Sequence, residues 1–289
     1  MHNPAISIVM AARNEERYLP ATLQSLLRQR GADFELICID DASDDATIKI
    51  LRDCADPRLV VLRNDTPQGV TVSLNRGLKQ AIGRYIARAD ADDLYHPERL
   101  RRQMDFLERN ADYAAVSCAA TFIDEDGRRT GRESMPGDDL SVRWRALFNS
   151  PFMHPAVMLR KSVLDRHGLA YDERLPVAQD YELWSRLLAH GKGANLRRHL
   201  YIRRDRGNSI SAKRLSEQHA VRDTVSRKML ERQFPGEIFD KKQVDRMRDL
   251  FVNRTGALPQ PADIDAYTGL IRRFLMQNCR HADMRMFCR

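Results

Sequence analysis

None of the five cysteines forms a CxxC pair, and Cys38, Cys54, Cys118, Cys279 and Cys288 are odd in number and widely spaced. That argues against both a disulfide framework and a zinc site, so they read as reduced, mostly structural thiols. The sequence contains no apolar run of about 18 residues, which leaves nothing expected to span a bilayer. Met1-His2-Asn3-Pro4 lacks a charged stretch followed by an apolar one, so the chain is expected to stay in the cytoplasm. No glycine follows the first apolar run, where Ala11-Ala12-Arg13-Asn14 stands. A glycine-rich phosphate loop of the kind nucleotidyl transfer would call for is therefore missing. Nor is a Ser/His/Asp or Cys/His arrangement evident, and no covalent nucleophile is expected.

Acidic residues become scarce only late in the chain. Residues 1–190 hold 26 Lys and Arg against 29 Asp and Glu, whereas residues 191–289 hold 22 against 11, so the whole net charge of +8 comes from the last third. Such a face suits anionic headgroups or phosphorylated substrates. Nucleic acid is not expected as a partner, because no recognised module, zinc-finger spacing or aromatic-rich basic patch accompanies the charge.

A chain of 289 residues accommodates one large α/β domain, or a domain of about 200 residues with a helical appendage. Ala5 to Ala12 is an apolar run, and the polar Arg13-Asn14-Glu15-Glu16 opens onto Leu19, Leu23, Leu26 and Leu27 at helical spacing. Phe34 to Ile39 is a second strand ending in Asp40-Asp41, and Ser43 or Asp44 is placed to cap the next helix. Leu59 to Leu62 gives a third strand, a helix follows at about 70–82, and Tyr85 to Ala89 gives a fourth strand. Strands alternating with helices of this length predict βαβ units and a mainly parallel, Rossmann-like sheet with flanking helices. Ligands of such sheets sit beyond the carboxyl ends of the strands, where Asn14, Asp40-Asp41 and Asp90-Asp92 converge.

The fourth strand runs into Asp90-Ala91-Asp92-Asp93, three carboxylates within four residues. They repel one another unless a positive group sits among them. Hard oxygen ligands of this kind suit magnesium or manganese, with substrate phosphates completing the shell. An ordinary solvated acidic turn is the competing reading, and the motifs upstream decide between the two.

Four motifs stand in order: Val9 to Glu15, Ile39 to Asp45, Asn75-Arg76-Gly77 and Asp90 to Asp93. Together they resemble the nucleotide-sugar-binding half of the family 2 glycosyltransferases, inverting enzymes with the A-type glycosyltransferase fold. The resemblance implies that Ala11, Arg13, Glu15, Asp40, Asp41 and Asn75 lie at the donor. It implies further that Asp90 and Asp92 bind a manganese or magnesium ion bridging the diphosphate, Asp92 being the preferred direct ligand. Asn75 has a plainer alternative, bonding a neighbouring loop, and Asn14 one of shaping its loop through left-handed backbone. Asp93 either caps the helix beginning near Pro97 or touches the metal.

Downstream, Ala114 to Ala119 is another strand and residues 123–128 a hairpin turn, with the pairing expected to become antiparallel there. His154, in His154-Pro155, resembles the family's acceptor-side His-Pro and is a candidate substrate or metal-diphosphate contact. Leu183, Trp184, Leu187 and Leu188 form the buried stripe of a helix whose first turn holds Asp180. By resemblance Asp180 is the catalytic base, taking the proton of an acceptor hydroxyl as it attacks the anomeric carbon; Gln179 precedes it where the family commonly has Glu. Helix-end potential is expected to keep it ionised, and with an ordinary pKa of about 3.9 it would have to act concertedly.

The expected division is a catalytic domain over 1–210, with a nucleotide-sugar half (1–95) and an acceptor half (96–210), followed by a basic helical region over 211–289. Helices are predicted at about 212–234, 237–253 and 262–278, either capping the catalytic domain or meeting a membrane surface. The implied donor is a nucleoside diphosphate sugar, UDP-type first, supplying a hexosyl or N-acetylhexosaminyl group. The implied acceptor is a glycan or lipid-linked glycan of cell-surface polysaccharide or lipopolysaccharide assembly. Nucleotidyl transfer and a non-catalytic nucleotide-sugar-binding protein are the alternatives; loss of Asp92 or Asp180 would favour the latter, and both are present.

Overall fold

In the computed structural model, which describes residues 4–206, 214–253 and 261–278, one nine-stranded sheet carries the chain. Strand β1 (Ile6–Ala12) lies between β2 (Phe34–Asp40) and β4 (Tyr85–Asp90), with β3 (Leu59–Arg63) outside β2, all parallel. The crossovers are α1 (Leu19–Leu27), α2 (Thr47–Asp53) and α3 (Val70–Gln80). Beyond β4 the pairing turns mixed: β4–β8, β6–β8 and β6–β7 are antiparallel as expected, but the long β6–β9 pair is parallel. After the two-residue β5 (Leu94–Tyr95) and α4 (Arg99–Arg109) come β6 (Tyr113–Ile123) and its hairpin partner β7 (Arg129–Glu133). Then follow α5 (Asp139–Ala146), β8 (Met158–Arg160), α6 (Lys161–His167), α7 (Gln179–Leu187) and the 13-residue β9 (Lys192–Arg204). The order β3-β2-β1-β4-β8-β6-β9-β5 inserts β8 antiparallel between β4 and β6.

Alternation along the inner strands explains the layers. Ile6, Ile8, Met10, Ala87 and Ala89 face α1 and α4, while Val9, Ile37, Ile39 and Ile86 face α3, α6 and α7 through Leu74, Leu164, Leu183 and Trp184. Helix α3 can lie this close because residue 77 is glycine. A β-carbon there would stand 2.5 Å from Val9 Cγ1 and 2.8 Å from Ile39 Cδ1.

The last third is helical: α8 (Leu215–Gln233), α9 (Lys241–Arg248) with a wide turn Asp249–Asn253, and α10 (Pro261–Asn278). The predicted helix at 237–253 is shorter at its start, because Asp240 and Gln243 close a reciprocal capping box that sets the first turn there. These helices pack on the end of α5: Leu230, Phe234, Met247 and Phe274 share a core with Leu147 and Phe148, and Ser226 and Arg248 donate to the carbonyls of Leu147 and Phe148. Arg248 is buried between Asp223 (2.9 Å) and Asp245 (2.7 Å), so part of the basic excess is neutralised internally. No helix among the described residues is long and apolar enough to cross a membrane. Cys38 and Cys118 are buried free thiols, with burial pushing Cys118 up to about 11. Cys279 and Cys288 lie outside the described residues.

Candidate active site

Register brings the acidic strand ends together. Ala12 pairs with Asp40 and Ala11 with Asp90, so the carboxyl ends of β2, β1 and β4 form one rim. The loops after β1 and β2 are laced over it: Asn14 N donates to Ser43 Oγ, Glu15 N to Thr47 Oγ1, and Asp44 N to Asn14 Oδ1. Asn14 (φ 55°) and Ala42 (φ 53°) are both left-handed, an arrangement that the loop-shaping reading of Asn14 anticipates. Arg13 is exposed on this loop.

Asp40 is fully buried at the end of β2 with Arg63 Nε at 3.2 Å. Asp41 accepts from Asn64 Nδ2 and Gln68 N on one oxygen and from Gly69 N on the other, and so fixes the turn that opens α3. Burial pushes its carboxyl up, but these bonds outweigh it and hold it below the usual range.

Asp90, Asp92 and Asp93 offer carboxylate oxygens that all lie within 4.8 Å of one another. Asp90 receives Arg88 Nη2 at 2.5 Å. Asp92 receives Arg206 Nη2 at 2.6 Å, and the same guanidinium grips both oxygens of Glu15 at 2.9 Å over the face of Tyr18. Burial, and then the charge of Asp90, raise Asp92. Burial takes Glu15 up to about 7 despite Arg206. A guanidinium drawn between two carboxylates shows that this pocket demands positive charge, and Asp90 and Asp92 fit a divalent cation. Asp93, the third carboxylate of this cluster, does not cap the helix that follows Pro97. Buried, it accepts from Tyr201 Oη (2.5 Å) and Arg204 N (2.7 Å), fastening the end of β9 beneath the cluster.

Asn75 takes the plainer of its two readings. Its amide donates to Tyr171 O and Glu173 Oε1 and accepts from Tyr171 N, so the neighbouring loop, not a donor, takes its hydrogen bonds. Replacing it with Ala leaves both Tyr171 backbone groups without this partner. We expect a loss of about 2 kcal/mol or more, read as a lower urea midpoint.

Tyr171 in turn bonds His154 Nε2 through its hydroxyl at 2.8 Å, and the His154 ring packs edge-on to Trp184. Burial, then the charge of Arg88, hold His154 well below its ordinary pKa, so it stands as a neutral ring. Asp180 opens α7 behind Ala178, another left-handed residue (φ 52°), and accepts from Ser150 Oγ at 3.3 Å. The helix N–H groups pull its pKa down as expected, with Ser150 and Arg88, but burial outweighs them and raises it. A carboxylate moved up toward working pH is the better proton acceptor. Arg88, Tyr171, Ser150 and Tyr201 escaped sequence reasoning. Only Arg88 carried a signal, being a charge on an otherwise apolar buried strand.

The comparisons with known proteins give the family and the fold. Residues 7–168 match the Glycosyl transferase family 2 profile, and the chain belongs to that family. EpsE of Bacillus subtilis is 34% identical over 229 residues, covering 77% of this chain and 80% of that protein. The Escherichia coli UDP-Glc:alpha-D-GlcNAc-diphosphoundecaprenol beta-1,3-glucosyltransferase WfaP is 29% identical, covering 73% and 82%. Among solved structures, the Pyrobaculum calidifontis mannosyltransferase PcManGT, in complex with GDP-Man and Mn2+, has a TM-score of 0.63 at 17% identity, covering 93% of this chain and 80% of that one. The particular protein is thus a family 2 glycosyltransferase with the A-type fold and a helical C-terminal region, related to enzymes of polysaccharide biosynthesis.

Proposed function

We propose that this chain moves a hexosyl or N-acetylhexosaminyl group, with inversion, from a nucleoside diphosphate sugar to a hydroxyl of a glycan or lipid-linked acceptor. The observation that carries the reading is the pairing of two carboxylate sets. Asp90 and Asp92 lie at a strand end that fits a cation, and Asp180, raised by burial, opens a helix packed on the face to which β4 turns Ile86. Asp92 and Asp90 would hold manganese or magnesium, which supplies charge neutralisation for a leaving diphosphate. Asp180 accepts the acceptor's proton and Ser150 orients it. Glu15, Asp41 and the end of β1 from Ala11 into Arg13 line the nucleoside side.

A UDP-type donor and a lipid-linked acceptor are supported by the name of WfaP, and a divalent metal by the PcManGT complex. Peripheral contact with an anionic membrane is supported by the basic last third and by the exposed apolar side chains of Leu215 and Met276 on its helices and of Ile238 between two of them. The test is thermal-shift screening of nucleoside diphosphate sugars with manganese. A donor at about a hundred times its Kd adds about 2.7 kcal/mol, and a melting rise of a few degrees is expected from a UDP-sugar. No shift with any UDP-, GDP- or dTDP-sugar would overturn the reading.

A further inference from the structure

Outside the active site, the edge where α8 ends and α9 begins departs most from an ordinary protein surface. Helix α8 stops at Gln233, Gly236 (φ 87°) turns the chain, and Asp240 caps α9. Between the helices exposure alternates: Phe239 is turned into the core with Phe234, Val244 and Met247, and Ile238 away from it. Ile238 is 92% exposed, and an apolar side chain so fully in water gains nothing for the fold. Met276, 63% exposed, stands on the stretch of α10 that Gln277 ties to Gln233 and Arg273 to Glu237.

Beside Ile238 runs a groove of about 270 Å3 between α8 and α9. Phe239 and Val244, both buried, form its apolar floor; Ala220, Thr224 and Arg227, at i, i+4 and i+7, line its α8 side and Lys241 its α9 side. Asp223 lines it too, but Lys241 (3.3 Å) and the buried Arg248 (2.9 Å) answer its charge. Arg227 has no ion-pair partner among the described residues, and the same holds for Lys228, Arg232, Lys242 and Arg272, all of them exposed. Of the carboxylates near them, Glu237 is paired with Arg273 and Asp240 caps α9, which leaves Glu231. Nucleic acid would use the cations but not Ile238, and an apolar peptide would use Ile238 but not the cations. An apolar groove with cations at its rim and a bare isoleucine beside it suits a phosphate carried on hydrocarbon.

We propose that this edge docks on an anionic phospholipid of a bilayer, with Arg227 and Lys241 on the phosphate and Ile238 among the acyl chains. The inference gives residues and a lipid to the peripheral membrane contact proposed above, and rests on that reading. Docking takes Ile238 out of water and gives Arg227 the counter-ion that the fold does not supply. It also holds the transferase at the surface that carries a lipid-linked acceptor.

The test is co-sedimentation of the full chain with phosphatidylcholine vesicles, with and without phosphatidylglycerol. The wild type should partition onto the phosphatidylglycerol vesicles at least about tenfold more strongly. Ile238→Asp should weaken that binding about tenfold and Arg227→Gln about fivefold, whereas Ile82→Asp, at an exposed isoleucine between α3 and β4, should leave it unchanged. In Ile238→Trp the new indole should shift its emission to the blue, against the wild-type background, when these vesicles are added. Inorganic phosphate at matched ionic strength should leave binding within about twofold. Each variant should keep the wild-type melting temperature, so that a lost vesicle response is not a lost fold. Ile238→Asp bound as tightly as the wild type, an unshifted emission in bound Ile238→Trp, or full release by inorganic phosphate overturns the proposal and leaves membrane contact to other surfaces. A wild type that binds neither vesicle refutes the membrane reading itself, and the donor screen still judges sugar transfer.

Discussion

Asp180→Asn should leave donor binding intact and lower kcat by about three to four orders of magnitude. Asparagine keeps the shape of the side chain and an acceptor for the Ser150 hydroxyl, so α7 and its left-handed entry at Ala178 have no reason to move. What disappears is the proposed base. Transfer assays paired with donor calorimetry separate the two effects, and a variant that loses donor affinity in parallel with rate would show Asp180 binding substrate instead. Stability gives an independent sign. Burial raises the Asp180 pKa in the folded protein. A raised carboxyl contributes stability below its unfolded pKa and loses it as pH rises through the folded value, so at pH 7 the ionised group burdens the fold. Asp180→Asn removes that burden, and its melting temperature at pH 7 should be no lower than that of the wild type, with the difference vanishing in acid.

The parts of this molecule legible from sequence are those encoded locally. The alternation of Ile6 to Ala12, Phe34 to Asp40 and Tyr85 to Asp90 with amphipathic helices defines the parallel half of the sheet, and the acidic residues at the strand ends mark the rim of the site. Asp180 was legible because the stripe Leu183, Trp184, Leu187 fixes the helix and so the turn that carries it. What escaped depends on contacts across long separations. Asn75 meets Tyr171 some hundred residues on, and Asp93 meets Tyr201 and Arg204 farther still; neither partner leaves a trace near the residue itself. Strand β9 hides behind Arg197, Arg198, Arg203 and Arg204, since it runs from core to exposed edge and loses its apolar alternation. The raised pKa of Asp180 has the same origin: a helix start is local, whereas burial is not.

Asp92→Asn should remove the manganese-dependent part of donor stabilisation and lower transfer by about two to three orders of magnitude. Asp92 sits in a cluster where burial and Asp90 already push its carboxyl up, and Arg206, 2.6 Å away, takes up part of its charge. Asparagine cannot offer a hard cation an anionic oxygen, and Asp90, engaged by Arg88, is left to hold it alone. The fold has less at stake. Arg206 keeps both bonds to Glu15, and one negative charge fewer beside Asp90 and Glu15 relieves repulsion. The melting temperature without ligand should therefore hold or rise, while the shift produced by a UDP-sugar becomes the same with and without manganese. In Asp180→Asn that manganese-dependent shift should persist, because Asp180 lies outside the acidic cluster. Equal manganese-dependent stabilisation in wild type and Asp92→Asn would remove Asp92 from the metal site and leave Asp90 and Glu15 to be tested in its place.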